Sequence, residues 1–237
     1  LLEVCRFAST GEGALTSLSD YVARMKEGQG AIYYIAGDDA AKIAQSPHLE
    51  GFKAKGVEVL LLSDHVDEFW LQHITEFEGK PLKSITRGAA DLDGIEKDDE
   101  ASKDEEAKDE ADLSALIAAI KAALGEAVKD VRPSARLTDS PVCLIADEGD
   151  MDVNLERLLK RHGQLQNGMP RVLELNPSHP LITRLSERAQ SGETGVDDLL
   201  ADAAFLLFDQ ARIVEGEVPT DPSEFARRLG TVMTKAL

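Results

Sequence analysis

The residues whose types could do chemistry are the histidines, the cysteines and a short run of carboxylates, and their spacing rules out most of it. His65 and His73 stand eight positions apart, beyond the one-turn reach that paired helical metal ligands use, and neither has a cysteine partner. Asp147, Glu148, Asp150 and Asp152 crowd together, but a calcium loop needs glycine at its sixth position and glutamate at its twelfth, and those places hold Asp152 and Leu158. The run reads as a polar turn. No GxxxxGKS/T, GxSxG or GxGxxG word occurs, and Gly28 and Gly30 precede an apolar run instead of opening a helix after one, so nothing cradles a phosphate. Cys5 and Cys143 lack CxxC spacing and lie in apolar surroundings, which fits a reduced, cytoplasmic chain. The sequence therefore predicts no catalytic residue, no metal site and no cofactor within the chain.

What remains is apolar contact. Asp150 can cap a helix in which Met151, Leu155, Leu158 and Leu159 share one face, with Asp152, Asn154, Glu156, Arg157 and Lys160 around the other. From periodicity alone such a stripe is read first as core-facing. Phe69 and Trp70 fall on a second predicted helix, where a single Trp in the chain is ordinarily half-buried.

The elements that must position these side chains follow from the hydrophobic pattern. Ala31 to Ala36 (AIYYIA) reads as a strand buried on both faces, with a helix to follow; helix 48–55, strand 57–62, helix 66–74 and strand 82–86 come next, a parallel α/β unit. Ser19-Asp20 should cap a short helix ending at Gly28. Between Asp91 and Glu110 there are 11 acidic and three basic residues, with only Leu92 and Ile95 as sizeable apolar groups, so 89–110 is expected to be a solvated acidic linker. Leu116, Ile117, Ile120, Leu124, Val128 and Val131 then recur at helical spacing up to Arg132-Pro133, followed by strands at 134–137, 142–146 and 171–175. Two amphipathic helices finish the chain. Leu199, Leu206 and Ile213 mark the first, and Phe225, Leu229, Val232 and Met233 the second, after the Asp221-Pro222 start.

Composition narrows the partners. The formal net charge of -18, from 44 acidic and 26 basic residues, argues against a nucleic-acid surface, and no apolar run approaches the length a bilayer requires. The 237 residues suit two modest domains. Leu1 is not an initiator methionine, and the opening LLEVCRFAST reads as the end of a helix, so a fragment of a longer protein is expected.

Several long words, in order, carry a resemblance. SDYVARMKEGQGAIYYIAG (19–37), SPHLEGFKAKGVEVLLLSDHVDEFW (46–70), TEFEGKPLKSI (75–85), VKDVRPSARLTDSPVCLIADEGDMDVNLERLLK (128–160) and VLELNPSHPLI (172–182) resemble the 90-kDa heat-shock protein family of ATP-dependent chaperones, specifically its bacterial (HtpG) branch. The resemblance implies the tail of a large middle subdomain (1–13), a small α/β middle subdomain (14–88), the acidic linker (89–110) and an α+β C-terminal domain (111–237) ending in dimerisation helices. It implies that Phe69, Trp70, Met151, Leu155, Leu158 and Leu159 contact unfolded or partly folded client proteins. It implies a homodimer built on Leu199, Leu206, Ile213, Phe225, Leu229, Val232 and Met233. ATP, magnesium and the ATPase activity would belong to the intact stress-response protein, outside this chain. The family's eukaryotic members carry an aromatic where this chain has Asp150, and the ending MTKAL lacks their acidic tail peptide, so no tail-binding co-chaperone is expected. The competing readings are a stand-alone α/β ligand-binding or enzyme module, which needs a wide polar pocket beyond Gly37 and Leu62, and a purely structural oligomerisation domain, which needs the Met151 helix buried.

Overall fold

A computed structural model describes residues 4–11, 13, 15–64, 66–89, 92, 94–95, 113–165, 168–191 and 196–236. The chain divides into two compact units, Leu1–Glu100 with Ala146–Gly168, and Ala101–Ile145 with Met169–Leu237. Residues 146–168 thus group with the first unit, although the sequence reading assigned them to a domain spanning 111–237.

The first unit is built on a five-stranded sheet. Its strands are β1 (Ala8–Ser9), β2 (Ile32–Ala36), β3 (Leu60–Leu62), β4 (Glu76–Phe77) and β5 (Lys80–Ser84), in the order β1-β3-β2-β5-β4. β2 lies between β3 and β5 and parallel to both, with Tyr34 opposite Leu60 and Ile32 opposite Leu82, while β1 and β4 close the edges antiparallel. Every residue of β2 is buried because strand alternation sends Tyr33 and Ile35 to one core, with Phe52, Val59 and Leu61, and Ile32, Tyr34 and Ala36 to another, with Leu18, Leu60 and Leu62. The helices are shorter than periodicity suggested: α1 (Leu18–Ala23, capped by Ser17), α2 (Ala40–Ile43), α3 (Glu50–Ala54) and α4 (Asp67–Trp70).

Two expectations about this unit change. Ala8–Ser9 pairs with β3, so part of the expected tail of a preceding subdomain belongs to this sheet. Leu92 and Ile95, at the start of the expected solvated linker, are buried in the core with Val57 and Ile85, and Lys55 Nζ donates to the Leu92 carbonyl at 2.6 Å. The two apolar side chains anchor the start of that interval, and its stretch 96–112 lies outside the described residues.

The second unit contains α5 (Ser114–Leu124), β6 (Val128–Pro133), β7 (Val142–Ile145), β8 (Arg171–Leu175), α7 (Pro180–Ser191), α8 (Val196–Val214) and α9 (Pro222–Ala236); the intervening α6 (Val153–Arg161) belongs to the first. β8 is central, parallel to β6 and antiparallel to β7. The long helix expected up to Val131 stops instead at Gly125, whose φ of 51° suits glycine, and β-branched Val128 and Val131 pair with β8 as strand residues. Residues 134–137 consequently form no strand. Leu116, Ile120 and Leu124 of α5 pack with Leu173 and Leu175 of β8, Ile182 of α7 and Leu200 and Leu207 of α8. Beside this core Arg136 and Glu174, 1% and 3% exposed in their side chains, form an ion pair of 2.9 Å.

Candidate functional site

The segment 146–168 builds its site on the open ends of β2 and β3. Asp152, not Asp150, caps α6: its side chain accepts from the Asn154 backbone N–H at 2.9 Å, so Met151 precedes the helix. Before it the chain makes a turn, where the Asp147 carboxylate accepts from the Glu148 N–H at 2.9 Å and the Asp147 carbonyl from the Asp150 N–H at 3.0 Å. Asn154 Nδ2 donates to the Ala36 carbonyl at the end of β2, and Arg161 Nη2 pairs with Asp38 at 2.5 Å. Asp152 is 9% exposed and accepts from Ser84 Oγ at 2.5 Å and Thr86 Oγ1 at 3.0 Å. Sequence reasoning missed this contact, since Ser84 and Thr86 lie 68 and 66 positions away.

These tethers decide which apolar side chains stay open. Leu158 lines a cavity of about 20 Å³ with Ala36, Gly37, Asp38, Leu62, Asp64 and Asn154, and Met151, Leu155 and Leu159 are half-buried. The fully buried positions of the helix are Val153 and, unexpectedly, Glu156, which pairs with Lys160 at 2.6 Å. A Cβ at Gly37 would meet Ile43 Cγ1 at 2.9 Å, so a larger residue here would force the Ile43 side chain to shift. A cavity of this size holds about one water. It is not the wide polar pocket that the α/β enzyme reading needs beyond Gly37 and Leu62.

Phe69 and Trp70 part company. Phe69 is 62% exposed, beside the exposed Val66, whereas Trp70 is half-buried, donates through Nε1 to Asp67 at 2.9 Å and stands 5.8 Å from the Phe7 ring. Among the described residues no group of three His, Cys, Asp or Glu side chains gathers as a metal site; His65 lies outside them. Cys143 is buried with Sγ 3.8 Å from Glu174, and Cys5 is half-buried.

In the second unit α8 carries the core through Leu200, Ala204, Leu207 and Ala211. Leu199 is buried, Leu206 half-buried and Ile213 exposed. α9 buries no described side chain: Phe225 and Val232 are half-buried, Leu229 is 41% exposed and Met233 55%. Its contacts with α8 include a cation–π contact and an ion pair. Arg228 lies 3.9 Å over the Phe205 ring and 3.4 Å from Asp202. At the α8–α9 connection Glu217 is held by Arg171 at 2.9 Å and Arg212 at 3.0 Å. Burial pushes the Glu217 carboxyl up, but the two guanidiniums more than offset it and hold the group below the usual glutamate range. Burial raises Asp209 nearby, against the opposing pull of Arg212 and Arg228.

The Hsp90 protein family profile matches residues 1–237. The chain belongs to the Hsp90 family. Among similar proteins, the chaperone protein HtpG of Roseobacter denitrificans is 72% identical over 237 residues, that of Paramagnetospirillum magneticum 54% over 240, and that of Rhodospirillum rubrum 50% over 242. Each alignment covers 100% of this chain and 38% of the relative. The chain thus spans under two-fifths of the HtpG relatives it matches, and none of its described helices is long and apolar enough to cross a membrane.

Proposed function

We propose that this Hsp90-family chain is the pairing and client-contact portion of a cytoplasmic, ATP-dependent chaperone. The reading is carried by half-open apolar surface on a folded scaffold: Phe69, Leu155 and Leu159 remain accessible on elements fixed by buried cores and polar tethers. Such side chains offer adaptable contact of up to about 1.5–3 kcal/mol each when fully covered by an unfolded segment. Nucleotide and magnesium binding, and the work of ATP hydrolysis, belong to the rest of the full-length protein. The chain itself is not an enzyme.

Pairing is assigned to the last two helices. A 15-residue helix with no buried side chain among those described, and an apolar stripe of Phe225, Leu229, Val232 and Met233, lacks the cover that normally holds an amphipathic helix in place. A second copy supplies it by twofold symmetry, giving a four-helix bundle in which the same stripe serves both sides.

Two measurements test these roles separately. Replacing Phe69, Leu155 and Leu159 by Ser should shift stability by under about 1 kcal/mol per site, because the side chains are already partly hydrated, while suppression of a model client's aggregation falls several-fold; unchanged suppression refutes the client surface. Sedimentation should find a dimer at micromolar concentration and a monomer for Leu229→Ser/Met233→Ser. A monomeric wild type or a dimeric variant refutes the pairing surface.

A further inference from the structure

Asp152 does more than capping a helix requires. A capping side chain needs one oxygen for one backbone N–H, and Oδ1 serves Asn154 in that way. Oδ2 turns away from α6 and accepts both the Ser84 and Thr86 hydroxyls, which are themselves 2.9 Å apart and buried. The backbone reinforces the junction: the Ala146 N–H donates to the Thr86 carbonyl at 3.0 Å and the Gly88 N–H to the Ala146 carbonyl at 2.9 Å. Asn154 and Arg161 fasten the first turn and the far end of the helix to Ala36 and Asp38.

The geometry points to Asp152 as a positioning residue that forms, with Ser84 and Thr86, a releasable latch docking α6 onto the end of the first sheet and setting how far its apolar side opens. The chemistry of the donors makes it releasable. A buried carboxylate held by two neutral hydroxyls gains far less than one held by a guanidinium, and it is stable there only while both hydroxyls are present. Take them away and Oδ2 is left buried without a donor, with only the Asn154 N–H remaining on Oδ1, whereas a helix swung into water rehydrates it. Release would uncover Leu158, now against Gly37 and Leu62, together with Leu155 and Leu159. The latch stands on the docked geometry alone; only its consequence for clients rests on the proposed chaperone role.

Ser84→Ala/Thr86→Val tests the latch without touching α6 or its cap. Hydrogen exchange on the 237-residue chain should show amides of 156–161 exchanging tenfold faster or more, with those of β2 unchanged. Unaltered protection in α6 overturns the latch, and so does an equal rise in β2 and α6, since the hydroxyls would then merely stabilise the sheet. Asp152→Ser, which keeps a capping oxygen but removes the second one, should release α6 in the same way; full α6 protection in that variant also overturns the proposal. Aggregation suppression measured on the same variants separates the two ideas. Faster α6 exchange with enhanced suppression supports both, whereas faster exchange with unchanged suppression supports the latch and removes the client role from α6.

Discussion

Asp152 in the first unit and Glu174 in the second are both buried carboxylates, yet they are solved by opposite means. Glu174 sits on the central strand β8 and accepts from Arg136 at 2.9 Å, Arg132 at 3.0 Å and Ser134 Oγ at 2.9 Å. Asp152 sits at a helix start and has hydroxyls and one backbone N–H. The difference tracks what each element does. A strand paired on both sides cannot leave, so its charge must be neutralised where it lies. A helix held only through side-chain contacts can leave, so neutral donors suffice. Glu217 falls between, gripped by two arginines but partly open to water.

The largest expected effect breaks the Glu174 side of this comparison. Glu174→Ala removes the buried carboxylate that Arg136 and Arg132 share and should cost the second unit about 3–5 kcal/mol. Urea unfolding followed by circular dichroism checks it, with Trp70 fluorescence reporting separately on the first unit. A loss under about 1 kcal/mol would mean that the arginines find water easily and that burial is not what distinguishes the two carboxylates.

Glu217 gives a smaller effect with a defined sign. Its folded-state pKa lies below the unfolded value, so its stabilisation is fully present above the ordinary glutamate range and is lost as pH falls through the lowered folded value. At neutral pH Glu217→Gln should cost about 1.5–3 kcal/mol, the worth of hydrogen bonds to a charged group. The gap between wild type and variant should close as the pH drops below about 4, in denaturant titrations at stepped pH. A gap constant with pH would show that the arginines contribute shape and not charge.

The smallest effect is at the surface. Arg227 pairs with Glu224 at 3.0 Å on α9, and the short-range contact lowers the Glu224 carboxyl, yet both side chains are largely in water. Arg227→Ala should cause almost no loss of stability, because water screens an exposed pair. Thermal melts of the variant check it, and a larger loss would place the pair in a covered interface.

Strand β2, strand β7 and the last two helices were legible because their signals are local: consecutive Ile and Tyr between glycines, VCLI, and apolar residues at three- and four-residue spacing. The segment 113–133 was misread because Val128 and Val131 fit a helical period as well as a strand. The choice was made by Gly125 and by a parallel partner, β8, some forty residues later. Helix α7 was overlooked, since Pro180, Ile182 and Leu185 give too short an apolar signal without the core that covers them. The apolar stripe of α6 was legible; which of its residues would be covered was not.

By itself the sequence determined the family, the α/β character of the first unit, the lack of a phosphate-cradling word and the amphipathic faces of α6 and α9. These depend on residue order over a few turns or on long matching words. Only the tertiary structure decided where the buried charges find partners. Arg136 meets Glu174 and Asp152 meets Ser84 across intervals of 38 and 68 residues, and no local pattern announces either. A buried charge is tolerated only where the rest of the fold delivers a donor to it, and that delivery is a property of packing, not of neighbouring residues in the chain.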